Sequence, residues 1–257
     1  MACGRKAQLN TALKEKKIAN GENPHGKGSE ATRVGTIYHK LCEVWHGQGV
    51  LEYAVPSNDI YEKEYYEAER LFKAYKKFCR NDPGYWGHVD SVELGLPRGE
   101  EDVAALAEAF QFEDPLTAHM DMVVRIDNEA RSRLKTDHDL VLPGAGLYIL
   151  DHKTSKSKKK AGAWDLDWQF LGYQLMYAAC FDEEPLGMIA ANMTRTKEPK
   201  LHLQFVPWEA AVQSHEAFMV FLHASKTLID GGFARSTECD SMFGRCYFYE
   251  TGECNRV

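Results

Sequence analysis

The chain has 257 residues, 44% of them apolar and 27% charged, with a formal net charge of −7 at pH 7. Such a chain can bury a sizeable core without staples. The acidic balance excludes general attraction to nucleic acid, seven cysteines at this length do not make a disulfide framework, and no apolar run is long enough to span a bilayer. The expectation is one cytosolic (cytoplasmic) domain over 1–257, with a helical N-terminal part (1–80), a Cys-rich tail (236–257), reduced or metal-bound thiols and no membrane partner.

Residues 1–20 read as a helix start, with Leu9, Leu13 and Ile18 following Cys3-Gly4-Arg5-Lys6, and the Gly-rich stretch 21–28 as a loop. Ser29 or Thr32 can cap the next helix, 29–46, which carries Val34, Ile37, Tyr38, Leu41, Val44 and Trp45 at helical spacing. Gly35 and His39, four apart, share one face, with room for close approach at the glycine. A lone histidine there is ordinarily a satisfied core or surface residue. Residues 59–80, with Tyr61, Tyr65, Leu71, Phe72, Tyr75 and Phe78, form an amphipathic helix that suggests packing and no chemistry. Asn81–Gly84 is a turn. Residues 89–96 alternate as a strand that includes Glu93, and 101–112 are a short helix or an insertion.

Thr117–Ile126 is the next strand. Asp121 stands in it among Met120, Met122, Val123 and Val124, where a carboxylate is costly unless hydrogen-bonded, paired or metal-bound. Asp127–Gly146 reads as a long polar connection that closes in a turn at Pro143–Gly146. The strand Leu147–Lys153 then runs apolar and breaks into Asp151, His152 and Lys153. Alternation points Asp151 and Lys153 one way and His152 the other. The carboxylate can hold a hard divalent cation, and the ammonium can orient a water or offset charge on a phosphate. Taken alone, these three residues also fit a strand that ends at the solvent.

The lysines that follow, Lys156, Lys158, Lys159 and Lys160, are the richest basic stretch of the chain, either a solvated loop or a local phosphate-binding surface. Residues 165–180 are a helix in which Trp168, Leu171, Leu175, Met176 and Ala179 cover the core and Gln169 and Tyr173 share a face. Trp164, Trp168 and Tyr173 offer a base-stacking surface, with core packing the simpler role for Trp168. Residues 187–196 and 201–207 read as a hairpin and 208–230 as one amphipathic helix. Cys239, Cys246 and Cys254 fall within sixteen residues and suit a thiolate cluster that needs a fourth ligand, whereas Cys42, Cys79 and Cys180 sit on apolar helix faces.

In this order the segments resemble the PD-(D/E)XK nuclease superfamily in its RecB-like exonuclease branch, which includes phage exonucleases, AddB-type nuclease domains and CRISPR-associated RecB-like exonucleases. Gly35-x-x-x-His39 matches the N-terminal helix motif, Glu93 a common strand glutamate and Asp121 the first metal-binding aspartate. Asp151-His152-Lys153-Thr154 matches the D-x-K-T form of the signature, and Gln169-x-x-x-Tyr173 the QxxxY motif. Each is weak alone, and five in sequence are specific.

The resemblance implies an α/β, restriction-endonuclease-like fold: a mixed central sheet flanked by helices, with an αβββαβ core. It implies a Mg²⁺- or Mn²⁺-dependent DNA exonuclease of phage or bacterial recombination, repair or processing, working on DNA ends and with recombination or replication proteins. Asp121, Asp151, the His152 carbonyl and His39 would serve the metal. Lys153 would serve the water and transition state, Gln169 and Tyr173 the site or the DNA strand, and Lys156–Lys160 the phosphates. Some members tie their chain ends with a [4Fe–4S] cluster, which implies Cys3, Cys239, Cys246 and Cys254 here, with Zn²⁺ as the rival metal. A site- or structure-specific endonuclease of the same superfamily and a non-catalytic DNA-binding subunit remain alternatives.

Overall fold

The computed structural model describes residues 30–48, 62–112, 116–158, 167–230, 240–241 and 244–245. The first segment forms α1 (Glu30–Gln48) and the second α2 (Glu62–Phe78). On α1, Val34, Tyr38, Leu41, Cys42 and Trp45 recur at three- and four-residue steps and are buried together with Ala68, Leu71, Phe72 and Tyr75 of α2. Burying each large side chain of this kind contributes about 1.5–3 kcal/mol, enough to hold two helices whose exposed faces are rich in Glu and Lys. Arg33 and Glu64 add a hydrogen-bonded ion pair between the two helices.

Five strands follow: β1 (His88–Leu96), β2 (Ala118–Ile126), β3 (Gly146–Ser155), β4 (Gly187–Thr194) and β5 (Leu201–Pro207). They lie side by side in chain order, antiparallel except for the parallel β3–β4 pair. A parallel pair needs a crossover, and α5 (Trp168–Phe181) falls between its strands in sequence. The order of α1, β1, β2, β3, α5 and β4 is the αβββαβ core expected from the sequence. Two helices interrupt it, α3 (Glu100–Phe110) and α4 (Asn128–His138). Tyr148, Leu150, Ile189 and Ala191 cover α1 and α2, and alternation turns Ile149, Asp151 and Lys153 to the other face.

Several expectations are corrected. The polar connection 127–146 contains a helix, α4. It is polar almost all round and buries only Ala130 and Leu134, so its periodicity is faint, and its start is fixed by the Asp127 side chain accepting the Ala130 N–H. Residues 208–230 form two helices, α6 (Trp208–Gln213) and α7 (His215–Asp230), separated at Ser214. β1 does not alternate cleanly: its register shifts between Val89 and Ser91, and Glu93 takes a left-handed φ of 53°. Cys42 and Cys79 are core residues, but Cys180 is half-buried.

The chain divides into two compact units, Ser29–Phe218, which carries the sheet, and Met1–Gly28 with Met219–Val257. The described part of the latter is the remainder of α7 and two short antiparallel strands, β6 (Asp240–Ser241) and β7 (Gly244–Arg245). The helix and loop expected over 1–28 lie outside the described residues. Among the described residues no helix is long and apolar enough to cross a membrane.

Gly187 opens β4 with a φ of 154°, and a Cβ there would stand 2.6 Å from the Val206 carbonyl oxygen and 2.3 Å from the Phe205 ring. Gly187→Ala is expected to destabilise the protein by about 1–3 kcal/mol, since a backbone atom cannot rotate away. Urea unfolding checks this; an unchanged midpoint would show that β5 moves freely.

Candidate active site

β2 and β3 pair from Ile126↔Gly146 to Met122↔Leu150 and no further, whereas β3 continues along β4 to Ser155. Asp121 and Asp151 stand where the first ladder ends. There the His152 N–H donates to Asp121 Oδ2 at 2.6 Å, so a side chain takes a bond that a paired strand would supply. Asp121 Oδ1 lies 3.2 Å from His39 Nδ1 on α1. Gly35, one turn before His39, leaves room for β3: a Cβ there would meet Thr154 Oγ1 at 3.3 Å. The shared face of Gly35 and His39 thus looks onto the site. With Thr36, Lys40, Glu43, Glu93 and Asp121 they line a cleft of about 560 Å³.

Asp151 is 2% exposed. Lys153 Nζ approaches its Oδ2 to 2.9 Å as an ion pair, off the line of a hydrogen bond, and among the described residues that buried oxygen accepts none. The same ammonium donates to Gln169 Oε1 at 2.9 Å, and Gln169 Nε2 donates to the Tyr173 hydroxyl at 2.8 Å. Asp167 accepts the Gln169 N–H and caps α5, which sets the first turn beside β3.

Electrostatics separate the two aspartates. Burial works to raise the Asp121 pKa, but its hydrogen bonds and charge interactions with His152 and His39 outweigh burial, and the carboxyl sits well below the usual carboxylate range. For Asp151, burial first and then the Asp121 charge push the carboxyl well above that range, with Lys153 opposing. Burial alone would lower the His39 pKa; Asp121 and Asp151 reverse it to a net rise. Glu93 is raised by burial, then by Asp121 and Glu43.

The structure therefore brings together Asp121, Asp151, Lys153, His39, Gln169 and Tyr173. The His152 ring turns away to the opposite face, where it meets Tyr75 of α2. Sequence reading missed Tyr75, His46 and Trp86 beneath the site: each sits in an apolar pattern, and only the topology shows them meeting. Trp168 is 36% exposed against Phe218 rather than core. Lys156 and Lys158 are exposed just past β3; Lys159, Lys160, Trp164, Cys3, Cys239, Cys246 and Cys254 lie outside the described residues.

A model of the PD-(D/E)XK nuclease superfamily matches residues 1–251. The chain belongs to that superfamily. No curated protein matches it. Among solved structures it is similar in fold to a protein from Eubacterium rectale named "Putative exonuclease", with 15% identity and a TM-score of 0.52 over 94% of this chain and 79% of that one. The five-stranded mixed sheet flanked by helices is the fold of this superfamily. PD-(D/E)XK nucleases generally use divalent metals such as Mg²⁺. Among the described residues no three His, Cys, Asp or Glu side chains are arranged to hold a metal ion. Asp121 is engaged by His39 and the His152 N–H, and Asp151 by Lys153. The donor chemistry nevertheless fits such an ion: two neighbouring carboxylates, Asp151 buried and Asp121 partly so, with Asp151 Oδ2 accepting no hydrogen bond among the described residues.

Asp151→Asn removes a charge that the folded, metal-free protein disfavours. The folded pKa lies above the unfolded one, so between the ordinary carboxylate range and the raised value the native state holds the extra proton and stability falls as pH rises. In EDTA the variant is expected to exceed the wild type at pH 8 by about 1–3 kcal/mol, one pKa unit being about 1.4 kcal/mol, and by less at pH 5. Urea unfolding at both pH values checks this, and equal differences would contradict it.

Proposed function

We propose that this PD-(D/E)XK chain is a divalent-metal-dependent DNA exonuclease that hydrolyses phosphodiester bonds at DNA ends. The observation that carries the reading is Lys153, its ammonium held 2.9 Å from buried Asp151 and 2.9 Å from Gln169 at the end of β3. Asp121 and Asp151 would hold the cation, which when bound supplies an acidified water and offsets phosphate charge. Lys153 presents its charge where negative charge develops on the phosphate. Gln169 orients Lys153, and Tyr173 orients Gln169. His39 holds Asp121 ionised and turned to the cleft. The motif series and the name of the Eubacterium rectale fold neighbour support the exonuclease assignment. Exposed Lys156 and Lys158, with Lys159 and Lys160, would meet DNA phosphates.

Asp121→Asn, Asp151→Asn and Lys153→Ala are each expected to lower cleavage of end-labelled linear DNA by about 10²–10³-fold or more while the circular-dichroism spectrum is unchanged. Wild-type rates in all three would remove the assignment. Covalently closed circles should resist the enzyme; their cleavage would favour the endonuclease alternative, and binding without cleavage in Mg²⁺ or Mn²⁺ a non-catalytic subunit.

Replacing Lys156, Lys158, Lys159 and Lys160 by Gln should flatten the log–log salt dependence of DNA binding by roughly 0.7–0.9 for each phosphate that is no longer neutralised. An unchanged slope would reduce the run to a solvated loop.

A further inference from the structure

The alternation that turns Lys153 to one face of the sheet carries a row of polar groups across the two strands beyond it. The parallel ladder sets Asn192 of β4 beside Lys153, and the antiparallel ladder sets His202 of β5 beside Asn192. Their sequence neighbours Ala191, Met193, Leu201 and Leu203 pack on the opposite face with the residues of α1 and α2. Lys153, Asn192 and His202 therefore share a face. Asn192, in the middle, is 2% exposed, and neither of its amide atoms has a hydrogen-bond partner among the described residues. His202 is half-buried.

Two exposed lysines extend the row. Lys200 carries the β4–β5 ladder one residue further: its N–H donates to Thr194 Oγ1 at 3.1 Å, and its carbonyl accepts the Thr194 N–H at 3.0 Å. Two residues before His202, it falls on the same side. Lys158 follows the end of β3. Burial first, and then the charges of Lys158 and Lys200, hold the His202 pKa below its ordinary value, so both ammonium groups stand near the ring. Over 192–204 the chain carries Arg195, Lys197 and Lys200 against one carboxylate, Glu198, although its net charge is −7.

The other side of the site has the opposite sign. Glu43, Glu93 and Asp121 line the cleft there, and Lys40, which also lines it, is ion-paired with Glu43. A polyanion held at Lys153 is thus repelled towards α1 and β1 and drawn towards β5. Neighbouring strands lie about 4.8 Å apart, which puts His202 about 10 Å from Lys153, roughly three nucleotides at the rise of one strand.

We propose that Lys200 and His202, with Lys158, form a track that holds the single DNA strand leading to the scissile phosphate. With cations on one side only, the surface suits one phosphate backbone rather than the two of a duplex. The inference rests on the nuclease reading, and it adds the surface that binds the substrate and the strandedness of that substrate.

Fluorescence anisotropy of an end-labelled twelve-nucleotide oligo(dT) in EDTA reads binding without cleavage. Lys200→Gln is expected to flatten the log–log salt dependence by about 0.7, and Lys200→Gln with His202→Gln to weaken binding further. Lys135→Gln, on α4, should keep the wild-type slope. With Mn²⁺, Lys200→Gln should raise KM for the same oligonucleotide about 3–10-fold while kcat changes little, the pattern of lost uniform binding. Lys200 is exposed, so the variant is expected to fold, and circular dichroism checks it. Wild-type affinity and slope in the Lys200, His202 double variant would overturn the track, as would an equal loss of slope in Lys135→Gln. A blunt duplex of the same length, held as tightly as the oligonucleotide and as dependent on Lys200, would overturn the single-strand assignment. A wild-type protein that binds through Lys200 and cuts nothing in Mg²⁺ or Mn²⁺ would instead sink the nuclease reading and leave the track standing.

Discussion

The structure turns on two aspartates placed side by side where a sheet stops pairing. Asp151 is buried and Asp121 partly so, and the charge on Asp121 raises the cost of ionising Asp151. A fold selected for stability alone would replace one of them with an apolar residue. This chain instead surrounds the pair with partial compensation: a backbone N–H and an imidazole for Asp121, and an ammonium for Asp151. Those partners leave one buried Asp151 oxygen without a hydrogen bond among the described residues.

The topology makes that juxtaposition. β3 has a parallel neighbour on one side that accompanies it to Ser155, and on the other an antiparallel neighbour that leaves it after Leu150. The divergence exposes the His152 N–H to a side chain rather than to a strand. Gly35 lets α1 approach β3 closely enough for His39 to reach Asp121, and the Asp167 cap starts α5 where Gln169 can reach Lys153. Beneath, hydrogen bonds joining the Pro83 carbonyl, His46, Tyr75 and His152 replace apolar packing in the centre of a two-helix layer, a placement that costs stability unless every group is partnered.

Much of this was legible in the sequence because it depends on period. The apolar run ending in Asp151, His152 and Lys153 fixed both the strand and the opposed directions of its polar residues, and the four-residue spacings of Gly35 with His39 and Gln169 with Tyr173 fixed shared helix faces. Contacts between elements were not legible. Tyr75 has the same apolar surroundings in sequence as Phe72, and only the packing of α2 on β3 distinguishes a hydrogen-bonding hub from a core ring. Helix α4 escaped because it buries too few residues to show a period, and the left-handed backbone at Glu93 because nothing in its neighbours demands a bulge. The separate helices α6 and α7 share one continuous apolar pattern, which a break at a single serine does not interrupt.

The central claim is that the Asp121–Asp151 pair is built for a cation, and thermal unfolding with and without Mn²⁺ tests it most directly. Binding to the native state alone stabilises by about 2.7 kcal/mol at a free ion concentration one hundred times the Kd. The account predicts that Mn²⁺ raises the midpoint of the wild-type protein above its value in EDTA, and that the rise disappears in the Asp121→Asn, Asp151→Asn double variant. A midpoint that Mn²⁺ leaves unchanged in the wild type, or raises equally in both proteins, would contradict it.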